Sequence, residues 1–283
     1  MHDQADELRE LVRRAALEHS WASEAVPRRI VVSGGKGGVG TTTVAVNLAV
    51  ALASLGQRTV LVDANLNRGG VSRLCNLKEQ ETIAAVLAGR RTVHEVLQRG
   101  PFGLHVLPGV GSFDPPPECT PAAQDRLLHQ LSGLGQHADV MIFDVGSGLT
   151  HIVQRFWSAA DLVLLVATPE PDVIMDAYAA VKVLPPGDTT VRIRTLINQV
   201  EGLETGEKIH QRLAEVSFRF LGRTLKAAGE IPLDPAVRAA SHAGQPLLAQ
   251  HAASPAARQI SHLAEQLLAA LERQEERPGL KAA

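Results

Sequence analysis

The sequence predicts an α/β fold with a doubly wound, mostly parallel sheet, and three observations predict it. Short runs that are apolar throughout recur along the chain, as in Thr59 to Asp63 (TVLVD) and Leu162 to Ala167 (LVLLVA). Such runs suit strands buried on both faces. Segments of helical period separate them, which is the order of a sheet covered by helices on both sides. The first run ends in a glycine-rich loop, Ser33 to Thr43 (SGGKGGVGTTT), that opens directly into a helical segment.

The elements follow in order. Residues 4 to 19 place Leu8, Leu11, Val12, Ala15 and Ala16 at helical spacing, so an appended N-terminal helix is expected. Ser20 to Arg29 loses that period and contains Pro27, which marks a linker. A strand at Arg28 to Ser33 leads into the loop. Thr42 to Leu55 is a helix stopped by Gly56, and Thr59 to Asp63 is the next strand. Short helical segments are expected over Thr82 to Ala88 and Val93 to Arg99, with a strand at Leu104 to Leu107. Gly109 to Pro121 is a loop rich in Gly and Pro. A helix over Ala122 to Leu134 precedes the strand Asp139 to Asp144 (DVMIFD). After the strand at Leu162 come a helix over Ile174 to Leu184, a strand over Val191 to Asn198 and a helix over Glu204 to Leu221. A last strand lies near Ala227 to Ile231. Helices then start at Pro235 and run from Pro255 to Gln274.

Composition narrows the function class. The chain has 283 residues, 45% of them hydrophobic, enough to bury a large core. Its formal net charge of -2 gives no overall basic field, so no nucleic-acid partner is expected. Cys75 and Cys119 stand far apart without metal-type spacing. The charged start MHDQADELRE is unlike a signal peptide, and no apolar run approaches the ~20 residues that cross a bilayer. A cytoplasmic protein is expected.

In parallel sheets ligands bind beyond the carboxyl ends of the strands, where the glycine loop, Asp63 and Asp144 all fall. Gly35, Gly37, Gly38 and Gly40 let backbone N–H groups converge on an anion, and the following helix adds its positive N-terminal end. The frame Gly35, four residues, Gly40 is that of a phosphate-binding loop. Thr42 falls where a hydroxyl ligand of magnesium is expected, and Asp144 could hold that ion through water.

These residues resemble the MinD/ParA family of deviant Walker A ATPases, whose mark KGGxGK[ST] is matched by Lys36-Gly37-Gly38-Val39-Gly40. The resemblance implies a P-loop NTPase fold of the MinD type, ATP and Mg2+ as cofactors, and an ATP-bound homodimer. Lys36 would contact phosphate across the dimer interface. The backbone from Gly35 through Val39 to Thr41, Thr42 and Thr43 would hold the phosphates. Thr42, Asp63 and Asp144 would hold magnesium. Asn198 in LINQV matches an asparagine that reads adenine, and Ile231 to Pro235 (IPLDP), Pro232 among them, matches the loop lining the base.

A second resemblance is narrower. Asp3-Gln4-Ala5-Asp6-Glu7-Leu8-Arg9 is similar to the DQAxxLR motif of the flagellar-number regulators called FlhG or YlxH. There the N-terminal helix binds and stimulates the signal-recognition-type GTPase FlhF. TIAAVLAGRRTVHEVL, GLHVLPG and TPEPDVIMDAYAAVKVL resemble the same subfamily. The implied division is a partner-binding helix and linker over 1–27, a nucleotide-binding domain over 28–274 and a charged tail over 275–283. Gln4 and Arg9 would face the partner, with Leu8 in the apolar stripe.

Two departures fall on the chemistry. Thr41 occupies the loop-lysine position, and Asn65 replaces the aspartate that orients the attacking water. An amide is a poor base. Losing one cation roughly 4 Å from a phosphate removes at most a few kcal/mol at an effective dielectric of about 20. Charge stabilisation during phosphoryl transfer suffers more, because it relies on placed cations. Attenuated hydrolysis with nucleotide binding retained is therefore expected, unless Arg68 or Arg73 supplies the charge.

The eleven histidines form no ligand spacing on one helix face. His105 reads as strand or surface, and His151 as structural or solvent-facing. Ile260, Leu263, Leu267, Leu268 and Leu271 form a terminal apolar stripe whose polar side carries both charge signs, unlike a cationic membrane-surface helix. It reads as a core helix, with any membrane association indirect or weak. The alternatives to a switch that regulates flagellar number are a nucleotide-independent scaffold on a degenerate ATPase fold and a ParA-like segregation ATPase.

Overall fold

The structure is a computed structural model that describes residues 27–66, 69–78, 80–111, 119–148, 150–183, 191–202 and 205–275. The expected N-terminal helix, with Gln4, Leu8 and Arg9, lies outside the described residues, as does Arg68.

The apolar runs become strands: β1 (Arg28–Gly34), β2 (Thr59–Asp63), β3 (Gln98–Arg99), β4 (His105–Leu107), β5 (Val140–Ser147), β6 (Leu162–Ala167), β7 (Ile193–Val200) and β8 (Lys226–Pro232). They form one sheet in the order β3-β4-β2-β5-β1-β6-β7-β8. Every pair is parallel except β3 with β4. β2 and β6 are buried along their whole length, as their lack of polar alternation requires.

The helices are α1 (Thr41–Ser54), α2 (Val71–Leu74), α3 (Ile83–Leu87), α4 (Val93–Val96), α5 (Pro121–Ser132), α6 (His151–Ser158), α7 (Pro171–Lys182), α8 (Thr205–Leu221), α9 (Pro235–His242), α10 (Leu247–Gln250) and α11 (Pro255–Glu275). α1 is buried continuously from Val44 to Leu52 because α11 and α10 cover it from outside. The terminal stripe is part of this core: Ile260, Leu263, Leu267 and Leu271 are all buried.

Local readings change, and the short helices α2 and α10 were not expected. The helix expected over Val93 to Arg99 stops at Val96, where Leu97 turns extended, and Gln98 and Arg99 pair antiparallel with Val106 and His105. Helix α6 was not expected, although Ile152, Val153, Phe156 and Trp157 repeat at i, i+1, i+4, i+5 and are buried. Ala122 to Leu134 shortens to α5 and ends in a 3-10 turn at Gly133–Gln136.

Parallel pairing fixes the heights of the strand ends. β1 lies between β5 and β6, so its loop emerges at the centre of the sheet. Asp63 and Asp144 share one register position on β2 and β5. The loop, both aspartates and the end of β7 therefore meet at the carboxyl edge.

Candidate functional site

The glycine loop owes its shape to steric needs at three positions. A Cβ on Gly35 would stand 2.3–2.5 Å from backbone atoms of Asp176 and Ala177, so only glycine lets the loop sit against α7. Gly38 (φ 90°) and Gly40 (φ 92°) take the left-handed conformation, and a Cβ on Gly40 would also meet Asn198 Nδ2 at 2.4 Å. Gly40 precedes α1, whose first residues are Thr41, Thr42 and Thr43. First-turn N–H groups lack intrahelical partners, so they face an anion as donors. Lys36 and Gly37 are exposed at the crest, whereas Val39 is buried beneath it.

Two side chains at the end of β7 hold the loop from outside. Asn198 Nδ2 donates to the Val39 carbonyl at 2.8 Å, and Gln199 Nε2 donates to the Gly38 carbonyl at 3.2 Å.

Beside the loop, Asp63 and Asp144 are sealed from solvent. Asp63 Oδ2 accepts from the N–H groups of Gly70 (3.0 Å) and Val71 (3.1 Å), and Oδ1 from that of Asn65 (3.3 Å). Asp144 Oδ1 accepts from Gly146 N–H at 3.1 Å, and the Thr42 hydroxyl also bonds this carboxyl. Burial pushes the Asp63 carboxyl up to about 7, with the charge of Asp144 adding to it and the three N–H groups opposing it. Burial likewise raises Asp144 to about 6, opposed by Thr42 and Gly146.

This donor set fits a magnesium ion. Asp144 Oδ2 is buried with no hydrogen-bond partner. Two carboxylates held side by side without a cation are forced toward protonation, and a hard divalent cation with oxygen ligands removes that cost. Among the described residues no group of three or more His, Cys, Asp and Glu side chains is assembled. The cation site thus rests on Asp63, Asp144 and the Thr42 hydroxyl. His151 is an exposed first residue of α6, and His105 is half-buried in β4.

Behind the loop opens a pocket of about 280 Å³, lined by Gly40, Thr43, Asn198, Pro232, Leu233 and Val237 among others. Its walls are mainly apolar, with Asn198 as a buried amide and with Asp234 and Arg238 also on the lining, which suits a planar heterocycle. Thus the structure brings Asn198 and Pro232 together on one cavity and places them next to the loop.

The substituted positions differ in setting. Thr41 is buried, with its methyl 3.0 Å from where a Cβ on Gly34 would stand. The Asn65 side chain lies against Gly146, where a Cβ would come within 2.5 Å of Nδ2. Arg73 is tied to α9: Nη1 donates to the Ser241 carbonyl at 2.9 Å and Nη2 to its hydroxyl at 3.3 Å. In this arrangement its guanidinium is committed to Ser241.

Sequence reasoning missed two contributors. Gly109 belongs to the site because a Cβ there would lie 2.4 Å from the Asp63 carboxyl carbon. Its place just after β4 in LPGV was a usable signal. Gln199 was overlooked because nothing in the string LINQV separates a loop-binding amide from a solvated one.

Comparisons with known proteins agree with this geometry. The AAA-domain family matches residues 27–179, more than half of the chain. The antiactivator FleN of Pseudomonas aeruginosa is 38% identical over 211 residues, covering 75% of each chain. The flagellum site-determining protein YlxH of Helicobacter pylori is 27% identical, covering 78% of each. Among solved structures, the septum site-determining protein MinD of Pyrococcus horikoshii, complexed with Mg-ADP, superposes with a TM-score of 0.74. That match is 24% identical and covers 87% of this chain and 98% of the other.

Proposed function

We propose that this chain, which belongs to the MinD/ParA family of P-loop ATPases and to its FleN/FlhG-like flagellar-regulator branch, is an ATP- and Mg2+-dependent switch that sets flagellar number or placement. The observation that carries the reading is the buried Asp63–Asp144 pair with its unpartnered Oδ2, set beside a glycine loop and a base-sized pocket.

Each part has a task. Backbone donors of the loop and of the first turn of α1 bind the phosphate chain. Thr42, Asp63 and Asp144 would hold magnesium, whose positive charge would offset the two buried carboxylates and the charge of the phosphate chain. Asn198 and the Pro232 loop select the base. Lys36 is exposed at the crest, free to reach a second subunit, and that placement supports a dimer formed over the loop. Hydrolysis is attenuated, because Thr41 brings no cation and Asn65 no carboxylate to orient water. The switch passes its state to a signal-recognition-type GTPase through the DQAxxLR segment around Gln4, Leu8 and Arg9.

A nucleotide-independent scaffold is the second reading, favoured by Thr41 being packed beneath the loop. Equilibrium binding of labelled ATP with and without magnesium separates the two. Magnesium-dependent binding supports the switch; no binding at millimolar ATP leaves the scaffold. Capture of the purified GTPase by the full chain, but not by a chain starting at Val26, tests the partner.

A further inference from the structure

The two amides at the end of β7 do more than line a pocket. A peptide group is planar and trans, so its carbonyl and N–H point in opposite directions. The Gly38 carbonyl shares its peptide with Val39 N–H, and the Val39 carbonyl shares its peptide with Gly40 N–H. Gln199 holds the first carbonyl and Asn198 the second. Both N–H groups are thereby aimed away from β7, with their peptide planes fixed.

Gln199 reaches its carbonyl at a cost. It is one of three non-glycine residues with positive φ among the described residues, at 60°, and the β7–β8 register shifts between Ile197 and Val200. A glutamine rarely takes this conformation, and glycine would hold it without strain. The side chain is what glycine cannot supply. Asn198 adds a second link, because the amide that anchors Val39 also lines the base-sized pocket.

We propose that Gln199 is a positioning residue for the phosphate loop: its amide, working with that of Asn198, locks the Gly38–Gly40 peptides into the phosphate-receptive orientation before any ligand arrives. The lock matters in this chain because the loop is rich in glycine and has no lysine at position 41 to order it. Free glycine peptides lose more conformational entropy on closing around an anion than fixed ones. The inference deepens the nucleotide-binding reading and rests on it for its consequence, though the lock itself is a property of the ligand-free chain.

The test uses Gln199→Gly, which keeps the left-handed backbone and removes the side chain that carries the amide. On the ligand-free full chain, backbone order parameters of Val39 and Gly40 are measured by NMR relaxation. The lock predicts that they fall from rigid toward flexible values in the variant while the melting temperature stays level or rises. Order parameters unchanged from the parent chain overturn the proposal, whatever the protein binds. In parallel, affinities for Mg-tripolyphosphate and for adenosine are compared. A loss of about fivefold for the tripolyphosphate, with a clearly smaller loss for adenosine, is the expected pattern for one hydrogen bond acting through the loop. Equal loss for both probes means that Gln199 shapes the pocket as a whole and also overturns it. If the parent chain binds neither probe but the variant's loop loosens, the nucleotide reading falls and the lock stands.

Discussion

Asp63 and Asp144 face one another at the same register position of two adjacent parallel strands, and neither carboxyl reaches solvent. Two like charges in that position are unfavourable without a cation. The arrangement persists because backbone N–H groups and the Thr42 hydroxyl share the load, and because a bound divalent ion would relieve it.

The first prediction concerns pH. Both carboxyls are raised in the folded chain, so the native state holds protons that the unfolded chain has released between about pH 4 and 7. The metal-free chain therefore loses stability as pH rises through that window. Magnesium opposes the loss, and its stabilising effect should be larger at pH 8 than at pH 5.5. Thermal melts at the two pH values, with and without magnesium, measure it; an equal shift at both values contradicts the account. Each kcal/mol corresponds to roughly 2–4 °C in a chain of this size.

The second prediction is that Asp144→Asn separates folding from binding. Removing one buried charge should leave the metal-free chain as stable as before or more so. Magnesium-dependent ATP affinity should drop at least about tenfold, since a ligand charge is gone. A melting temperature several degrees lower, with binding retained, would assign the pair a purely structural role.

How much of this was legible in the sequence depends on distance along the chain. β2 and β6 could be bounded to the residue because each is a short, β-branched apolar run flanked by polar or turn-forming residues, whereas the longer apolar run of α1 reads as a helix. The loop and the two aspartates were legible because each lies at the end of such a run. Gln98 and Arg99 were misread as helix because a two-residue strand depends on β4 for its definition. Gln199 and Gly109 act through contacts with residues more than 40 positions away, which no local pattern encodes. The anchoring of Arg73 on Ser241, 168 positions on, is of the same kind.

Arg73 gives the third prediction. Its guanidinium is tied to Ser241, so Arg73→Ala should leave ATP turnover within about twofold of the parent chain. A collapse of turnover in a steady-state assay would mean that Arg73 swings to the phosphates when they bind.

The fourth prediction concerns Gly40. Its left-handed backbone and its contact with Asn198 leave no room for a methyl group. Gly40→Ala should cost about 1–3 kcal/mol in chemical denaturation and abolish measurable ATP binding. Full binding at normal stability would show that the loop rearranges freely, against the geometry described.

The fifth prediction addresses the two substituted positions together. Restoring the family pattern with Thr41→Lys and Asn65→Asp should raise ATP turnover by at least about tenfold, because a placed cation and a carboxylate both act on the transferring phosphoryl group. Turnover in the parent chain that already matches the double variant would contradict attenuation.

The central claim is that the turn carrying Lys36 receives a triphosphate and turns its occupancy into dimerisation. Molar mass by light scattering, measured on the full chain with and without Mg-ATP and repeated with Lys36→Ala, tests it most directly. The account predicts a monomer that doubles its mass only with Mg-ATP and only with Lys36 present. A mass that ignores the nucleotide, or doubles equally in the Lys36→Ala chain, contradicts it.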